Sequence, residues 1–401
     1  MQILSPDILN INNKTRSNLL PWRGQFSPQL IEALLKNYAK KEYQVLDPFV
    51  GSGTVLFECG RLNLRAIGSE VNPAAAILSR TYKFINVNGN DRFKITQNIE
   101  KSITKALLRD NFSLVATKAD ENIKDVKNTI LTILDKTNDE LTKNLIETFV
   151  ILLDYYKDVI SNADAMNVWS RLKKTILALP LSNKEIAVLF CDARNIPLPK
   201  NSIDLIITSP PYINVFNYHQ QYRRSAEALG WKPLMVAESE IGSNRKFRAN
   251  RFLTVVQYCI DMTEVLIELY RLCKEKSHLI FVVGRESNVK KTAFKNSEIF
   301  IELAKRCSDF NADFSQERYF KNKFGDIIYE DIIHLFPNGN KGKIQKDSPQ
   351  VVAREFLKDA MNRVPEESKD ALFEAISSAE AVKASPTLDI RRALDNRRRI
   401  K

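Results

Sequence analysis

Residues 43–60, YQVLDPFVGSGTVLFECG, read as a strand, a glycine turn and a helix in immediate succession. YQVLDPF has the apolar density of a short buried strand, and in GTVLFECGRL the apolar residues recur at helical spacing. Gly51 and Gly53 lie between the two, where a missing Cβ lets the backbone turn tightly and come close to a ligand. A strand that feeds a helix through such a turn is the opening unit of an α/β fold. The turn has neither the third glycine of a dinucleotide fingerprint nor the lysine of a phosphate-binding loop, which disfavours pyrophosphate and nucleoside triphosphate as its ligands. A Gly-x-Gly alone identifies little, so the surrounding chain has to supply the rest.

Outward from that unit the same rhythm continues. QLIEALLKNYAK before it reads as an amphipathic helix, and LRAIGSEV after it as a second strand. Over residues 86–187 strand-like runs nearly vanish. Apolar residues there keep helical spacing, as in Ile95, Ile99, Ile103 and Leu107, or Trp169, Leu172, Ile176 and Leu179, which predicts an inserted helical subdomain. Strands return at AVLFCDA and SIDLIITSPPY. A long helix near residues 253–274 then leads into HLIFVVGRE, a further helix near 296–307, and the strands ADFSQERYF and IIYEDIIHLF. The core is therefore expected over residues 20–85 and 188–336. Residues 337–401 read as a polar linker followed by a helical, basic tail.

The 401 residues carry 60 Lys and Arg against 48 Asp and Glu, a net charge of +12, and such an excess suits a polyanionic partner. The plainer reading of the same number is solubility. Five scattered cysteines and three histidines suggest neither a disulfide framework nor a metal site. No apolar run is long enough to span a bilayer, and the N-terminus lacks the features of a secretory signal, so a cytoplasmic protein is expected.

Three further signals fall at strand ends. Glu70, in Ile67-Gly68-Ser69-Glu70, occupies a place that in doubly wound folds accepts the hydroxyls of a cofactor ribose. Asp192, in Cys191-Asp192-Ala193-Arg194, can hold an adenine amino group or, equally, cap a helix. The strongest signal is Thr208-Ser209-Pro210-Pro211-Tyr212, directly after the apolar strand DLIIT. Two prolines there remove two backbone donors and stiffen the chain, fixing the preceding side chain and carbonyl.

Taken together, these residues resemble the amino-methylating DNA methyltransferases, which move a methyl group from S-adenosylmethionine to the exocyclic nitrogen of cytosine or adenine. DPFVGSGT resembles their first cofactor motif and TSPPY their catalytic motif, while Arg23-Gly24-Gln25-Phe26-Ser27-Pro28 is similar to the cofactor segment that precedes the first motif. The resemblance implies a Rossmann-like methyltransferase fold, α/β with a mostly parallel seven-stranded sheet, and S-adenosylmethionine as cofactor. It implies cofactor contacts from Phe26, Ser27, Asp47, Pro48, Phe49, Gly51, Gly53, Thr54, Glu70 and Asp192. Ser209, Pro210 and Pro211 would form the catalytic corner, and Tyr212 would stack on the target base.

The chemistry agrees with that assignment. An exocyclic amine gives its lone pair to the aromatic ring and is a poor nucleophile. The Ser209 hydroxyl and the Pro210 carbonyl can accept its two N–H groups and favour a pyramidal nitrogen whose lone pair points at the methyl donor. A base inside a duplex is out of reach, so base flipping of double-stranded DNA is implied. Aromatic and basic residues interleave just beyond the catalytic motif, among them Phe216, Tyr218, Tyr222, Arg223 and Arg224. With Arg245, Lys246, Arg248 and Arg251 they make residues 213–252 a candidate target-recognition segment. The resemblance associates a serine at the head of the motif with N4 of cytosine. The alternatives are N6 of adenine, an RNA amino-methyltransferase and a non-catalytic DNA-binding subunit. A cognate restriction endonuclease or other defence component is an expected partner, and the chain is expected as a monomer or homodimer.

Overall fold

The computed structural model describes residues 3–108, 126–154, 160–213, 217–243, 247–322, 324–339 and 346–394. Helices α1 (Pro6–Asn10) and α2 (Pro28–Tyr38) precede β1 (Gln44–Asp47), α3 (Thr54–Arg61), β2 (Arg65–Glu70) and α4 (Pro73–Arg80). A 3-10 turn then leads to α5 (Gly89–Leu108), α6 (Val126–Asp135), α7 (Glu140–Leu152) and α8 (Asn162–Leu177). After β3 (Ile186–Phe190) and β4 (Ile203–Thr208) come the short α9 (Arg223–Ala228) and α10 (Pro233–Val236), then the long α11 (Leu253–Leu272) and β5 (Cys273–Gly284). A hairpin of β6 (Glu286–Val289) and β7 (Thr292–Lys295), α12 (Asn296–Glu302), β8 (Phe310–Lys321) and β9 (Ile327–Pro337) complete the strands. Helices α13 (Pro349–Asp359), α14 (Lys369–Ser378) and α15 (Ile390–Ala393) follow.

Seven strands form one sheet in the order β3-β2-β1-β4-β5-β9-β8. Neighbours from β3 to β5 are parallel, and β9 runs antiparallel to both β5 and β8. This is the mostly parallel seven-stranded sheet that the sequence predicts. Period-two alternation explains why both faces are covered: Leu205, Ile207, Ile280 and Val282 point into one apolar cluster, and Ile206, Leu279, Phe281 and Val283 into the other. The first cluster continues into the helices of residues 89–177 through Ile99, Leu145, Phe149 and Trp169. The second takes in α11 and the tail helices through Val352, Leu357, Leu372 and Ala375.

Local chemistry places the helix ends. Asn72 accepts from the backbone N–H of Ala74 and Ala75 and is followed by Pro73, a strong start for α4. Ser161 and Asp164 form a reciprocal capping box on α8. Arg92 is buried without a carboxylate; it donates to the carbonyls of Val87 at 2.7 Å, Pro180 at 2.8 Å and Ile85 at 3.3 Å, and also to that of Leu179. One guanidinium thereby ties together the two places where the chain leaves and rejoins the sheet.

Two elements differ from expectation. The β6–β7 hairpin was not predicted, because its turn residues Lys290 and Lys291 take positive φ without the Gly or Asn that signals such a turn. The helix expected to run to 307 passes into a π-helical segment at Leu303–Cys307. Among the described residues no helix is long and apolar enough to cross a membrane.

Candidate active site

Strand order reverses between β1 and β4, and in open parallel sheets the crevice beyond the carboxyl ends at such a point is where ligands bind. A cavity of about 830 Å³ opens there. Each of the parallel strands contributes to its wall: Asp47 to Ser52 from β1, Glu70 from β2, Asp192 from just beyond β3, Ser209 and Tyr212 from beyond β4, and Gly284 from β5. Motifs spread over more than two hundred residues of sequence therefore meet because the strands end side by side.

The glycine turn and Glu70 form one rigid unit. Gly51 N–H donates to Glu70 Oε2 and Asn72 N–H to Oε1, both at 2.9 Å. Burial still outweighs these bonds and lifts the Glu70 carboxyl to about 7. Asp47 is 2% exposed; its Oδ1 accepts from Thr208 Oγ1 at 2.6 Å and Phe49 N–H at 3.1 Å. Burial lifts it to about 7 as well, against the pull of those two bonds. The Asp47–Thr208 bond joins the end of β1 to the residue immediately before Ser209, so the glycine turn and the proline corner are braced against one another.

At the proline corner, Ser209 Oγ and Tyr212 Oη share a hydrogen bond of 3.1 Å. The Tyr212 ring lies on the backbone of Gly284, where a Cβ would come within 2.9 Å of Cε2. Burial first, and then the nearby Glu330, push the phenol well above its ordinary range, so Tyr212 stays neutral and keeps its proton.

Residues 2–80 match the family described as DNA methylase. The chain is 22% identical over 418 aligned positions to the Type II methyltransferase M.MjaII of Methanocaldococcus jannaschii, covering 74% of this chain and 78% of that one. It is 24% identical to the Type II methyltransferase M.BsoBI of Geobacillus stearothermophilus, covering 73% of this chain and 66% of the relative. These matches support an S-adenosylmethionine-dependent amino-methyltransferase of restriction-modification type. A solved S-adenosylmethionine-dependent methyltransferase from Methanosarcina mazei superposes with a TM-score of 0.34 at 11% identity, over 76% of this chain and 97% of that one.

The residues of the cavity fit S-adenosylmethionine. Gly51 has φ +51°, and a Cβ there would lie 3.3 Å from the Trp22 ring, so only glycine leaves the floor open. Glu70 presents a half-buried carboxylate held by two backbone donors, and Phe26, Pro48, Phe49 and Thr54 line the same space. Other predicted positions lie elsewhere. Gly53, with φ +95°, faces the interior, where a Cβ would come within 2.6 Å of Tyr82. Ser27 is the residue before α2, with its Oγ buried and without a hydrogen-bond partner, and neither it nor Pro210 is among the lining residues.

Asp192 reaches the wall with both oxygens engaged. Oδ1 accepts from Arg194 N–H at 3.0 Å and Nε at 2.9 Å, and Oδ2 from Arg194 Nη2 at 2.7 Å and Leu388 N–H at 3.1 Å. Arg194 donates onward to the carbonyls of Ser385 and Pro386, and Asp261 accepts from Ser385 N–H and Oγ. The chain beyond α14 is thus strapped to the turn after β3, a connection that the basic composition of the tail did not suggest.

Of the residues singled out for DNA, Tyr218 lines the cavity and stacks on Trp22 at 6.4 Å with an interplanar angle of 8°. Tyr222 stacks on Trp22 at 6.3 Å. Arg223 pairs with Glu227 along α9, Arg224 and Arg248 are exposed, and Arg251 is half-buried. Phe216, Arg245 and Lys246 lie outside the described residues, as do residues 395–401 of the tail. Sequence reasoning passed over Trp22, Asn72, Glu240, Gly284 and the β8–β9 residues Phe320 and Tyr329, all of which line the cavity. Trp22 adjoins the segment quoted for the cofactor and was within reach; the others carried no signal.

Proposed function

We propose that this protein methylates the exocyclic amine of a base flipped out of double-stranded DNA, and that the amine is N4 of cytosine. The observation that carries the reading is the joining of two loops in one cavity, Ser209 and Tyr212 on one side and Gly51 and Glu70 on the other, through the Asp47–Thr208 bond. The Type II relatives, the DNA methylase match and the net charge of +12 support DNA as the polymer. The serine at the head of the motif supports cytosine, on the strength of the family resemblance.

When bound, S-adenosylmethionine supplies an electrophilic methyl group on a sulfonium. The work of the chain is placement. Glu70 orients the ribose through its remaining lone pairs, and the open floor at Gly51 admits the methionine part. Ser209 Oγ accepts one N–H of the target amine and the Pro210 carbonyl the other, turning the lone pair toward the methyl group. Tyr212 is held flat on Gly284 with its hydroxyl on Ser209, so its ring can receive a base that has left the duplex. Holding donor and acceptor in line in this way supplies much of the barrier reduction, since no covalent enzyme intermediate forms.

Incubation with methyl-labelled S-adenosylmethionine and duplex DNA, followed by digestion to nucleosides, tests the proposal. Label in N4-methyl-2′-deoxycytidine is the expected product. Label in N6-methyl-2′-deoxyadenosine would move the target to adenine, and label only when transfer RNA replaces DNA would overturn the choice of polymer.

A further inference from the structure

Two polar atoms in the cavity wall are buried and have no hydrogen-bond partner: Glu240 Oε1, an acceptor, and Asn72 Nδ2, a donor. Leaving such an atom dry costs about 1–3 kcal/mol, so an orphan that faces a cavity marks where a ligand group belongs. Asn72 is 3% exposed, its Oδ1 is committed to capping α4, and its backbone N–H already binds Glu70. Glu240 is 7% exposed, and its other oxygen, Oε2, is 2.8 Å from His219 Nδ1. His219 is itself buried, so the carboxylate is anchored through one oxygen while the other is buried in the cavity wall without a partner. Gly242, two residues on, packs against the Tyr212 carbonyl, where a Cβ would come within 2.7 Å of the oxygen, and this fixes the segment beside the catalytic corner.

We infer that Glu240, held by His219, is a second cofactor-reading carboxylate, whose Oε1 accepts a hydrogen bond from an N–H or O–H of the adenosine of S-adenosylmethionine. This rests on the cofactor reading of the cavity and assigns a further residue to it. The adenosine half is favoured because the charge of Glu240 is felt at Glu70 and at Tyr218. The carboxylate that the sequence offered for the adenine, Asp192, already accepts two hydrogen bonds on each oxygen. Among the described carboxylates that line this cavity, Glu240 is the one with an oxygen that is both buried and without a hydrogen-bond partner.

Calorimetric titration of the full-length protein tests this, using S-adenosylhomocysteine, its 6-desamino analogue and its 2′-deoxy and 3′-deoxy analogues. Glu240→Gln is expected to weaken S-adenosylhomocysteine by about tenfold or more, the usual worth of a hydrogen bond to a charged group. With the one analogue that lacks the interacting donor, the variant and the wild-type protein should bind alike, and that analogue names the donor. Equal affinity for S-adenosylhomocysteine in both proteins, or the same loss with every analogue, would overturn the assignment. Glu240→Asp, which withdraws the carboxylate by one methylene, is read in the same way if the glutamine variant does not fold. Glu70→Gln serves as the control. If neither wild-type nor Glu70→Gln protein binds S-adenosylhomocysteine, the cofactor reading fails; if Glu70→Gln weakens binding and Glu240→Gln does not, the present inference alone fails.

Discussion

Cofactor binding should release protons and tighten with rising pH. Asp47 and Glu70 are both lifted to about 7 by burial, so in the free protein each carries roughly half a charge at neutral pH. The ribose hydroxyls and the cationic centres of S-adenosylmethionine favour the ionised carboxylates. A group with a pKa of about 7 is some ten times more ionised at pH 8 than at pH 6. If only the ionised form binds, the dissociation constant falls about tenfold over that interval for one responsive carboxylate and up to about a hundredfold for two. Glu70 is the stronger candidate, because it stands at the strand end that in this kind of fold meets the cofactor ribose. Titration of S-adenosylhomocysteine by calorimetry in two buffers of different ionisation enthalpy reads both quantities at once. Near pH 7 about half a proton should leave per responsive group, and Glu70→Gln should reduce both the release and the pH slope. A dissociation constant that stays flat from pH 6 to 8, with no net proton exchange, would refute the argument. The same groups act on stability in the free protein. Their folded pKa values lie above the ordinary 3.8 and 4.5, so the stability they contribute is complete below about pH 4 and is lost as pH rises through 7.

Further outcomes follow from other parts of the molecule. His278 Nε2 and His334 Nδ1 are 2.8 Å apart in the core, and burial lowers the two groups to about 4 and about 3. Their contribution to stability is therefore present above pH 6.5 and lost as pH falls through that value toward 4, so the urea-midpoint difference between wild-type and His278→Asn/His334→Asn protein should shrink or reverse between pH 7 and pH 5; a pH-independent difference would refute this. Ser209→Ala should lower turnover by about a hundredfold or more while leaving the S-adenosylhomocysteine dissociation constant unchanged, and unaltered turnover would remove Ser209 from the chemistry. Gly53→Ala forces both a positive φ and an overlap with Tyr82, and a loss of about 2–3 kcal/mol should appear in thermal unfolding; an unchanged midpoint would show that the turn can relax. Replacing Arg224 and Arg248 together should flatten the salt dependence of DNA binding, and an unaltered slope would place the phosphate contacts elsewhere.

The order of strands and the placement of the chemical motifs were legible because they depend on local signals. An apolar run, a glycine turn, an acid at a strand end and a proline pair each announce themselves within a few residues, and the parallel sheet brings them together once each follows a strand. Wall positions supplied by distant loops were hidden. Gly284 receives Tyr212 and Glu240 lines the cavity, but in each case the partner is remote in sequence and the residue type is ordinary. The division of the five motif glycines and prolines between cavity (Pro48, Gly51, Pro211) and elsewhere (Gly53, Pro210) was hidden too. Gly51 opens the floor, whereas Gly53 makes room for Tyr82, a distinction that depends on which way a Cβ would point.

The strap across the turn after β3 bears on how the protein is made. Arg194 takes its carbonyl acceptors from Ser385 and Pro386, Asp192 its fourth donor from Leu388, and Lys232 N–H bonds Ala393. Synthesis proceeds from the amino end, so the sheet, the glycine turn and the proline corner can all assemble while Arg194 still lacks these acceptors. The Asp192 corner of the cavity is thus finished last, and a message cut short before codon 385 would yield a chain that has every motif but leaves the Arg194–Asp192 ion pair short of its hydrogen-bond partners.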